Sequence, residues 1–365
     1  MNFNSPVHRR LLDSAEAIAA EEADRDHVVF QHTVFCQTGL PYRRTVERVW
    51  ERTNGLVTLR VEAGSAMDPS TGKFVDLALP SGPKPRLILA HLNSSALREG
   101  PEVDVGGSMT AFVKRLGFAA HGRDIRTFKE QMSALAGSTI RLGVMSENEQ
   151  SARTAKADII KSFDIWFAKD DKQRVLWPST VTLSSEYFES LCRHAVPLDE
   201  RALAALAHSP MALDAYTWLA QRLHRVEGRG QHISWAALRG QFGAGYKEVR
   251  QFRAAFKKVL REVLSQYPTA QLEESSRGVK LLNSPPPISK KLHPVKAIQS
   301  AAKPPTDKSV VTQAGIDAVR QNHPSWDAKF LLEKWQGWNR GTSLKNADAA
   351  FIAWAKSFTK GQPPA

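Results

Sequence analysis

The residues with the clearest capacity for chemistry are arginines and lysines that recur every three or four positions between residues 246 and 267. At that spacing they share one face of an α-helix. Cations of this kind bind phosphates and the acceptor edges of bases, so the pattern predicts a surface for nucleic acid. The basic face comprises Arg250, Arg253, Lys257 and Arg261, with Lys247 and Lys258 beside it.

The other face of this segment is apolar, which predicts an amphipathic helix over 246–267. Its apolar face would pack against other helices, and its basic face would be free to enter a major groove. The apolar residues are Val249, Phe252, Phe256, Val259, Leu260 and Val263. The alternative is a helix whose charges are simply solvated. Between residues 222 and 284 there are twelve Lys or Arg and five Asp or Glu, which favours DNA.

The N-terminal part of a recognition helix usually reaches base edges. We therefore predict base contacts from the first turns of this helix and phosphate contacts from the rest of it. The predicted base-reading residues are Lys247, Arg250, Gln251 and Arg253. The predicted phosphate contacts are Lys257, Lys258 and Arg261, and the hairpin that follows adds Arg277 and Lys280.

The elements around this helix are predicted in an order that has a known use. A helix over 211–223 precedes a short helix that Ser234 caps and Gly243 ends. The basic helix follows, and residues 269–283 read as a strand, a turn and a second strand. This order is typical of the winged helix-turn-helix.

A similar order of elements is predicted about 125 residues earlier. A helix runs from Arg86 to near Gly100, Ser108 caps a short helix, and Asp124 caps a third helix. Strands follow over 139–144 and 158–167. The repeat suggests an internal duplication, and the alternative is two unrelated helical segments followed by hairpins. The candidate DNA contacts here are Ser108, Thr110, Lys114, Arg123, Arg126 and Lys129, although capping alone would explain Ser108.

The whole-chain composition fits a nucleic-acid partner. The 365 residues carry a formal net charge of +13, which attracts polyanions, although a basic protein with no nucleic-acid role would have the same charge. The two cysteines, Cys36 and Cys192, are too few for a disulfide framework or a zinc site, so we expect buried thiols. No apolar run has the length of a signal or membrane segment, and we expect a cytoplasmic protein.

The motifs of several enzyme classes are missing from the sequence. Thr71-Gly72-Lys73 is the nearest match to a phosphate-binding loop, but Met67 stands where its first glycine should be. The eleven histidines include no His-x-His pair of the kind that an origin-nicking enzyme needs. We therefore expect no enzymatic activity, no cofactor and no metal.

These observations predict an α+β chain, mainly helical, with two tandem winged-helix domains. The predicted divisions are an N-terminal helix or arm over 1–27, an N-terminal winged-helix domain over 28–180, a C-terminal winged-helix domain over 181–284, a Pro/Lys-rich linker over 285–309 and a small helical module over 310–365. A short helix is also predicted over 45–52. The module's predicted core is Ile316, Val319, Trp326, Phe330, Leu331, Trp335, Trp338, Phe351, Trp354 and Phe358.

Several stretches resemble the plasmid-encoded RepA replication initiators of proteobacteria. They are Leu40-Pro41-Tyr42-Arg43, residues 85–118 with Gly107-Ser108-Met109-Thr110-Ala111-Phe112, residues 209–219 with Ala215-Tyr216-Thr217-Trp218-Leu219, and residues 235–243 with the helix after them. The resemblance covers roughly residues 30–285. In the C-terminal module, Pro324-Ser325-Trp326-Asp327 with Asp348-Ala349-Ala350-Phe351 is similar to a small module at the ends of several replication proteins.

The resemblance implies a protein that binds repeated sites, or iterons, at a plasmid origin. It also implies help in opening adjacent A·T-rich duplex, recruitment of the host initiator and replicative helicase, copy-number control and, in many relatives, autorepression as a dimer. The main alternative is a winged-helix transcriptional regulator with no direct replication role. A third possibility, an origin-nicking enzyme, predicts metal-dependent cleavage of a supercoiled origin.

Overall fold

The computed structural model describes residues 5–68, 71–104, 113–114, 118, 122–145, 152–162, 180–289, 311, 313–323, 326–339 and 347–360. Helices and small antiparallel sheets alternate along these residues, so the predicted α+β class is confirmed. The chain divides into two compact units, Met1–Ala302 and Lys303–Ala365. In the part of the chain that the structure describes, no helix combines the length and the hydrophobicity of a membrane span.

The longest helix in the first half of the larger unit is α3, and most of its residues are buried. Its elements are α1 (Pro6–Ala20), β1 (Val28–His32), α2 (Thr33–Gln37), β2 (Val49–Asn54), β3 (Val57–Glu62), β4 (Ser65–Asp68), β5 (Lys73–Asp76), α3 (Pro83–Glu99), β6 (Glu102–Asp104), α4 (Gly122–Gly137), β7 (Thr139–Met145), β8 (Ala152–Asp158) and β9 (Ile160–Ser162).

The second half contains the segment predicted to meet DNA. Its elements are β10 (Thr180–Leu183), α5 (Ser185–His194), β11 (Ala195–Asp199), α6 (Glu200–Leu206), α7 (Pro210–Arg222), a 3₁₀ turn (Leu223–Arg225), β12 (Gln231–Ser234), α8 (Trp235–Phe242), α9 (Val249–Gln266), β13 (Leu272–Glu274) and β14 (Gly278–Leu281).

A four-stranded antiparallel sheet of order β2-β3-β7-β8 lies in the first half. Residues 45–52 do not form the predicted short helix, because Val49–Asn54 pairs with β3 along its whole length. Pairing supplies every second backbone group with a partner and overrides the local helical tendency. The strand predicted over 139–144 lies within β7, which forms a hairpin with Ala152–Asp158. Of the strand predicted over 158–167 the structure has β9, which pairs with β10 and not with β7, and residues 163–167 lie outside the described part of the chain.

The two halves share strands and a core. β1 pairs with β11 from Val28↔Asp199 to His32↔Ala195, and β6 pairs with β10. One cluster of buried apolar residues extends from Leu11 to Ile288. The packed unit therefore continues past residue 285, where the linker was predicted to begin, and the phenolic hydroxyl of Tyr267 donates to the carbonyl of Pro285 at 2.7 Å.

The smaller unit contains α10 (Gln313–Asn322), α11 (Ala328–Trp338) and α12 (Ala347–Phe358). Val319, Leu331, Trp335 and Phe351 are buried in its core, as predicted. Trp338 was wrongly assigned to that core, because 70% of it is exposed and it lies beside Trp354 with 6.4 Å between ring centroids.

Candidate nucleic-acid interface

α9 has the amphipathic character predicted from the sequence. Phe252, Phe256, Val259, Leu260 and Val263 are buried, and the rings of Phe242 and Phe256 stack with their centroids 5.1 Å apart. The helix begins at Val249, three residues later than predicted. Val249 was expected in the apolar face, but it is exposed at the first residue of the helix.

Individual residues explain where α8 begins and how the hairpin after α9 packs against β12. The hydroxyl of Ser234 accepts the amide N–H of Ala237 at 3.2 Å and caps α8, as predicted. β12, β14 and β13 form a three-stranded antiparallel sheet in that order. A Cβ at Gly278 would collide with the carbonyl oxygen of Ile233, so the close approach of β14 to β12 requires glycine there. We call the hairpin 272–281 the wing.

Some of the predicted DNA contacts are exposed and carry no ion pair. Lys247, Arg250 and Arg277 have no carboxylate within 4.0 Å among the described residues. Lys247 and Arg250 lie at the N-terminus of α9, where the orphan N–H groups add partial positive charge. Arg277 lies at the tip of the wing. The exposed predicted contacts in this region are Lys247, Arg250, Gln251, Lys258, Arg261 and Arg277.

Other predicted contacts already have partners within the protein. The ammonium of Lys257 lies 2.6 Å from a carboxylate oxygen of Glu274, and that of Lys280 lies 3.1 Å from Glu273. The guanidinium of Arg253 lies over the ring of Trp235, 5.2 Å from its centroid. Lys258 is 71% exposed and approaches Glu262 only to 4.0 Å. The basic face of α9 therefore contains both free and engaged cations.

The candidate contacts of the first half are sparser. Arg123 and Arg126 on α4 are exposed, as is Lys114, whereas Lys129 is partly covered and desolvation lowers its pKa. Carboxylates are interspersed with these cations, and Asp124 at the start of α4 pairs with Lys84 at 2.8 Å. Ser108, Thr110 and the helix that Ser108 was predicted to cap lie outside the described residues.

A buried arginine that sequence reasoning missed joins the first half to α8. Arg52 on β2 is 5% exposed, and its Nη1 donates to the carbonyl of Gln241 in the last turn of α8 at 2.6 Å. A positive charge at a helix C-terminus is favourable. The guanidinium also lies over the rings of Tyr42 and Trp50, at 5.2 and 4.9 Å. β2 thus holds the helix that leads into the turn before α9.

A second missed group, the buried ion pair of Arg86 and Asp214, brings together three of the stretches that carry the RepA resemblance. Arg86 Nε lies 2.6 Å from Asp214 Oδ1, and the two side chains are 7% and 9% exposed. Arg86 also donates to the carbonyl of Leu40 at 2.7 Å. A single acid inside the apolar run 211–219 was the available signal, because a charge in such a run needs a buried partner.

His32, at the strand pair between the halves, is also buried. Its Nδ1 accepts the amide N–H of Val34 at 3.2 Å, so Nε2 carries the proton and donates to Ser190 at 3.0 Å. Burial and the nearby His194 lower the pKa of His32 to about 4. The ring is therefore neutral and structural at neutral pH.

The described residues contain neither a cluster of metal ligands nor a thiol with a lowered pKa. They contain no group of three or more His, Cys, Asp or Glu that could hold a metal ion. Cys36 and Cys192 are free and buried, and burial raises the pKa of both thiols, as expected for buried core cysteines.

A match to one protein family covers the segment that contains the Arg86–Asp214 pair. Residues 79–237 match the family described as plasmid encoded RepA protein. The resemblance to RepA is therefore confirmed over this segment, which begins before α3 and ends inside α8. No curated protein matches the chain.

Two solved structures share a limited similarity with the chain. A crystal structure of domains 2 and 3 of RctB is 11% identical, covers 67% of this chain and 93% of that chain, and has a TM-score of 0.44. A second crystal structure of RctB domains 2-3 is 10% identical, covers 68% and 94%, and has a TM-score of 0.41.

Proposed function

We propose that this RepA-like protein is a plasmid replication initiator that binds double-stranded DNA at repeated origin sites. α7, α8, α9 and the wing would act as a winged-helix reader. The proposal rests on three exposed cations, Lys247 and Arg250 at the start of α9 and Arg277 at the wing tip, which we call the basic edge. None of the three has a carboxylate partner among the described residues. α9 would enter the major groove and the wing would contact the adjacent backbone.

The proposal is tested by footprinting the purified protein on its own plasmid. Protection should appear at direct repeats beside an A·T-rich tract, and each bound copy should protect one major-groove face of its repeat. Its affinity should fall steeply with salt, because each neutralised phosphate releases counterions. If the protein bound DNA without preference for the repeats, or gave no protection at all, the proposed winged-helix reader would be contradicted.

The second candidate function is an autorepressor with no direct replication role. The same exposed edge supports it, because α9 and the wing would bind operator repeats equally well. A plasmid carrying only the origin, with the protein supplied in trans, separates the two. Maintenance of the plasmid and permanganate-reactive thymines in the A·T-rich tract support an initiator. Repression without either supports a regulator.

The proposal includes no covalent chemistry on DNA, no cofactor and no metal. Dimer formation and recruitment of the host initiator and replicative helicase belong to the same proposal. Supercoiled origin DNA incubated with the protein and Mg²⁺ or Mn²⁺ should stay supercoiled. Relaxed or nicked circles in proportion to the protein would instead identify an origin-nicking enzyme.

A further inference from the structure

The wing is attached to α9 through one half-buried ion pair stacked on a buried indole. Lys257 on α9 lies 2.6 Å from Glu274 on β13, with side chains 31% and 34% exposed. The ammonium of Lys257 also lies 5.7 Å from the centroid of the Trp235 ring, and Arg253 lies over the same ring. Trp235, at the start of α8, is 4% exposed. Three elements therefore meet at one aromatic ring.

Backbone contacts of the wing converge on the same tryptophan. The indole Nε1 of Trp235 donates to the carbonyl of Ser275 at 3.1 Å, and its amide N–H donates to the carbonyl of Arg277 at 3.2 Å. Arg253 Nη1 donates to the carbonyl of Ser276 at 3.4 Å. The turn itself is held by Ser275, whose hydroxyl accepts the amides of Arg277 and Gly278. The wing tip is thus a preformed turn seated on Trp235.

Glu274 lies on a surface that we propose to bind DNA, where a carboxylate would repel phosphate, and this geometry gives it a role. We propose that Glu274 is a positioning residue, which holds Lys257 over Trp235 and fixes the wing against α9 before DNA arrives. Lys257 and Arg253 then belong to this attachment, and the exposed Arg250 and Arg277 contact DNA. The inference rests on the proposed DNA-binding function. It is a preorganisation device, because the ordering of the wing precedes binding.

The neighbouring acid provides a matched control. Glu273 on the same strand pairs with Lys280 at 3.1 Å, but its side chain is 59% exposed and both partners lie on the wing. Glu273→Gln and Glu274→Gln remove the same charge from adjacent positions. If the charge alone matters, both variants bind duplex more tightly, because a carboxylate that repels phosphate has gone. If Glu274 positions the wing, Glu274→Gln weakens binding and Glu273→Gln does not.

The first measurement is affinity for the footprinted origin duplex at fixed salt. Glu274→Gln should weaken binding by about fivefold, the size expected for a partly buried pair on an aromatic ring. Glu273→Gln should leave affinity unchanged or raise it by up to about twofold. Equal or tighter binding by Glu274→Gln would overturn the positioning role. Lys257→Met should weaken binding without changing the salt slope, whereas loss of a phosphate contact would lower that slope by about one.

The second measurement uses the full-length protein without DNA and does not depend on the proposed function. The amide and indole N–H groups of Trp235 should exchange with solvent about fivefold faster in Glu274→Gln than in Glu273→Gln, since both are protected by the seated wing. Unchanged exchange would overturn the inference. If the parent protein bound no duplex while this exchange difference appeared, the proposed function would fail and the attachment of the wing would stand.

Discussion

The buried Arg86–Asp214 pair of the larger unit and its exposed basic edge come from different parts of the chain. The Arg86–Asp214 pair lies within the RepA match, and its partners come from stretches far apart in sequence. α9 and the wing lie wholly beyond residue 237, where the match ends. The difference teaches that the segment which matches the family model does not contain the residues proposed to read DNA.

The physical demands on the two regions also differ. A buried guanidinium and carboxylate must be fully paired, because an uncompensated buried charge is very costly. The exposed cations of α9 are instead solvated in the absence of DNA. Substituting any one of them should therefore have little effect on the free energy of unfolding. Substitutions in the first region should therefore act on stability, and those in the second on affinity.

The largest expected effect is on stability in the first region. Arg86→Met should lower the free energy of unfolding by about 3–5 kcal/mol, because it leaves the Asp214 carboxylate buried and unpaired. Urea unfolding measures this change. Arg60→Met, which removes two ion pairs of an arginine that is 42% exposed, should cost much less. Similar losses in the two variants would mean that burial does not set the cost of losing an ion pair.

The next effect is a pH dependence from His32. Its pKa is about 4 in the folded protein, against an ordinary value of 6.5 for histidine, so the unfolded chain binds more protons between these values. Stability is complete above pH 6.5 and falls as the pH is lowered to 4, by up to about 3 kcal/mol. His32→Gln should remove this part of the dependence in urea titrations across pH 4–7. An unchanged profile would contradict a buried neutral imidazole.

The third effect appears in the second region. Arg250→Ala should weaken binding to the origin duplex by about 1–3 kcal/mol if it reads a base edge, with the melting temperature unchanged. The matched control is Arg126→Ala on α4, also an exposed helical arginine, which should alter affinity by less than about 0.5 kcal/mol. Equal losses would show that both halves read DNA, which the predicted duplication would favour.

Local features of this fold were predictable, and contacts between distant residues were not. The Ser234 cap and the amphipathic α9 follow from neighbouring residues, and the structure has both. The predicted helix over 45–52 is wrong because pairing with β3 decides the strand there. Trp338 was misplaced because aromatic content alone does not show which face of a helix is covered.

The same limit applies to the candidate site. The basic face of α9 could be read from periodicity, but the engagement of Lys257 by Glu274 could not, because it requires the wing to fold back on the helix. Arg52 gave no signal for a similar reason: its partner is the end of α8, distant in sequence. The sequence shows which side chains are charged, and packing decides which of those charges stay free.

The smallest expected effect concerns phosphate contacts, and it tests whether α9 contacts the DNA backbone and α4 does not. Lys258, 71% exposed on α9, should contact a phosphate, so Lys258→Ala should weaken all duplexes alike and reduce the slope of log affinity against log salt by about one. Lys129 on α4 is partly covered, and desolvation lowers its pKa. Lys129→Ala should therefore leave the slope unchanged. The slope depends on the number of displaced counterions and not on the DNA sequence. A smaller slope in Lys129→Ala would therefore show that α4 contacts the duplex, even if Arg126 contacts no base.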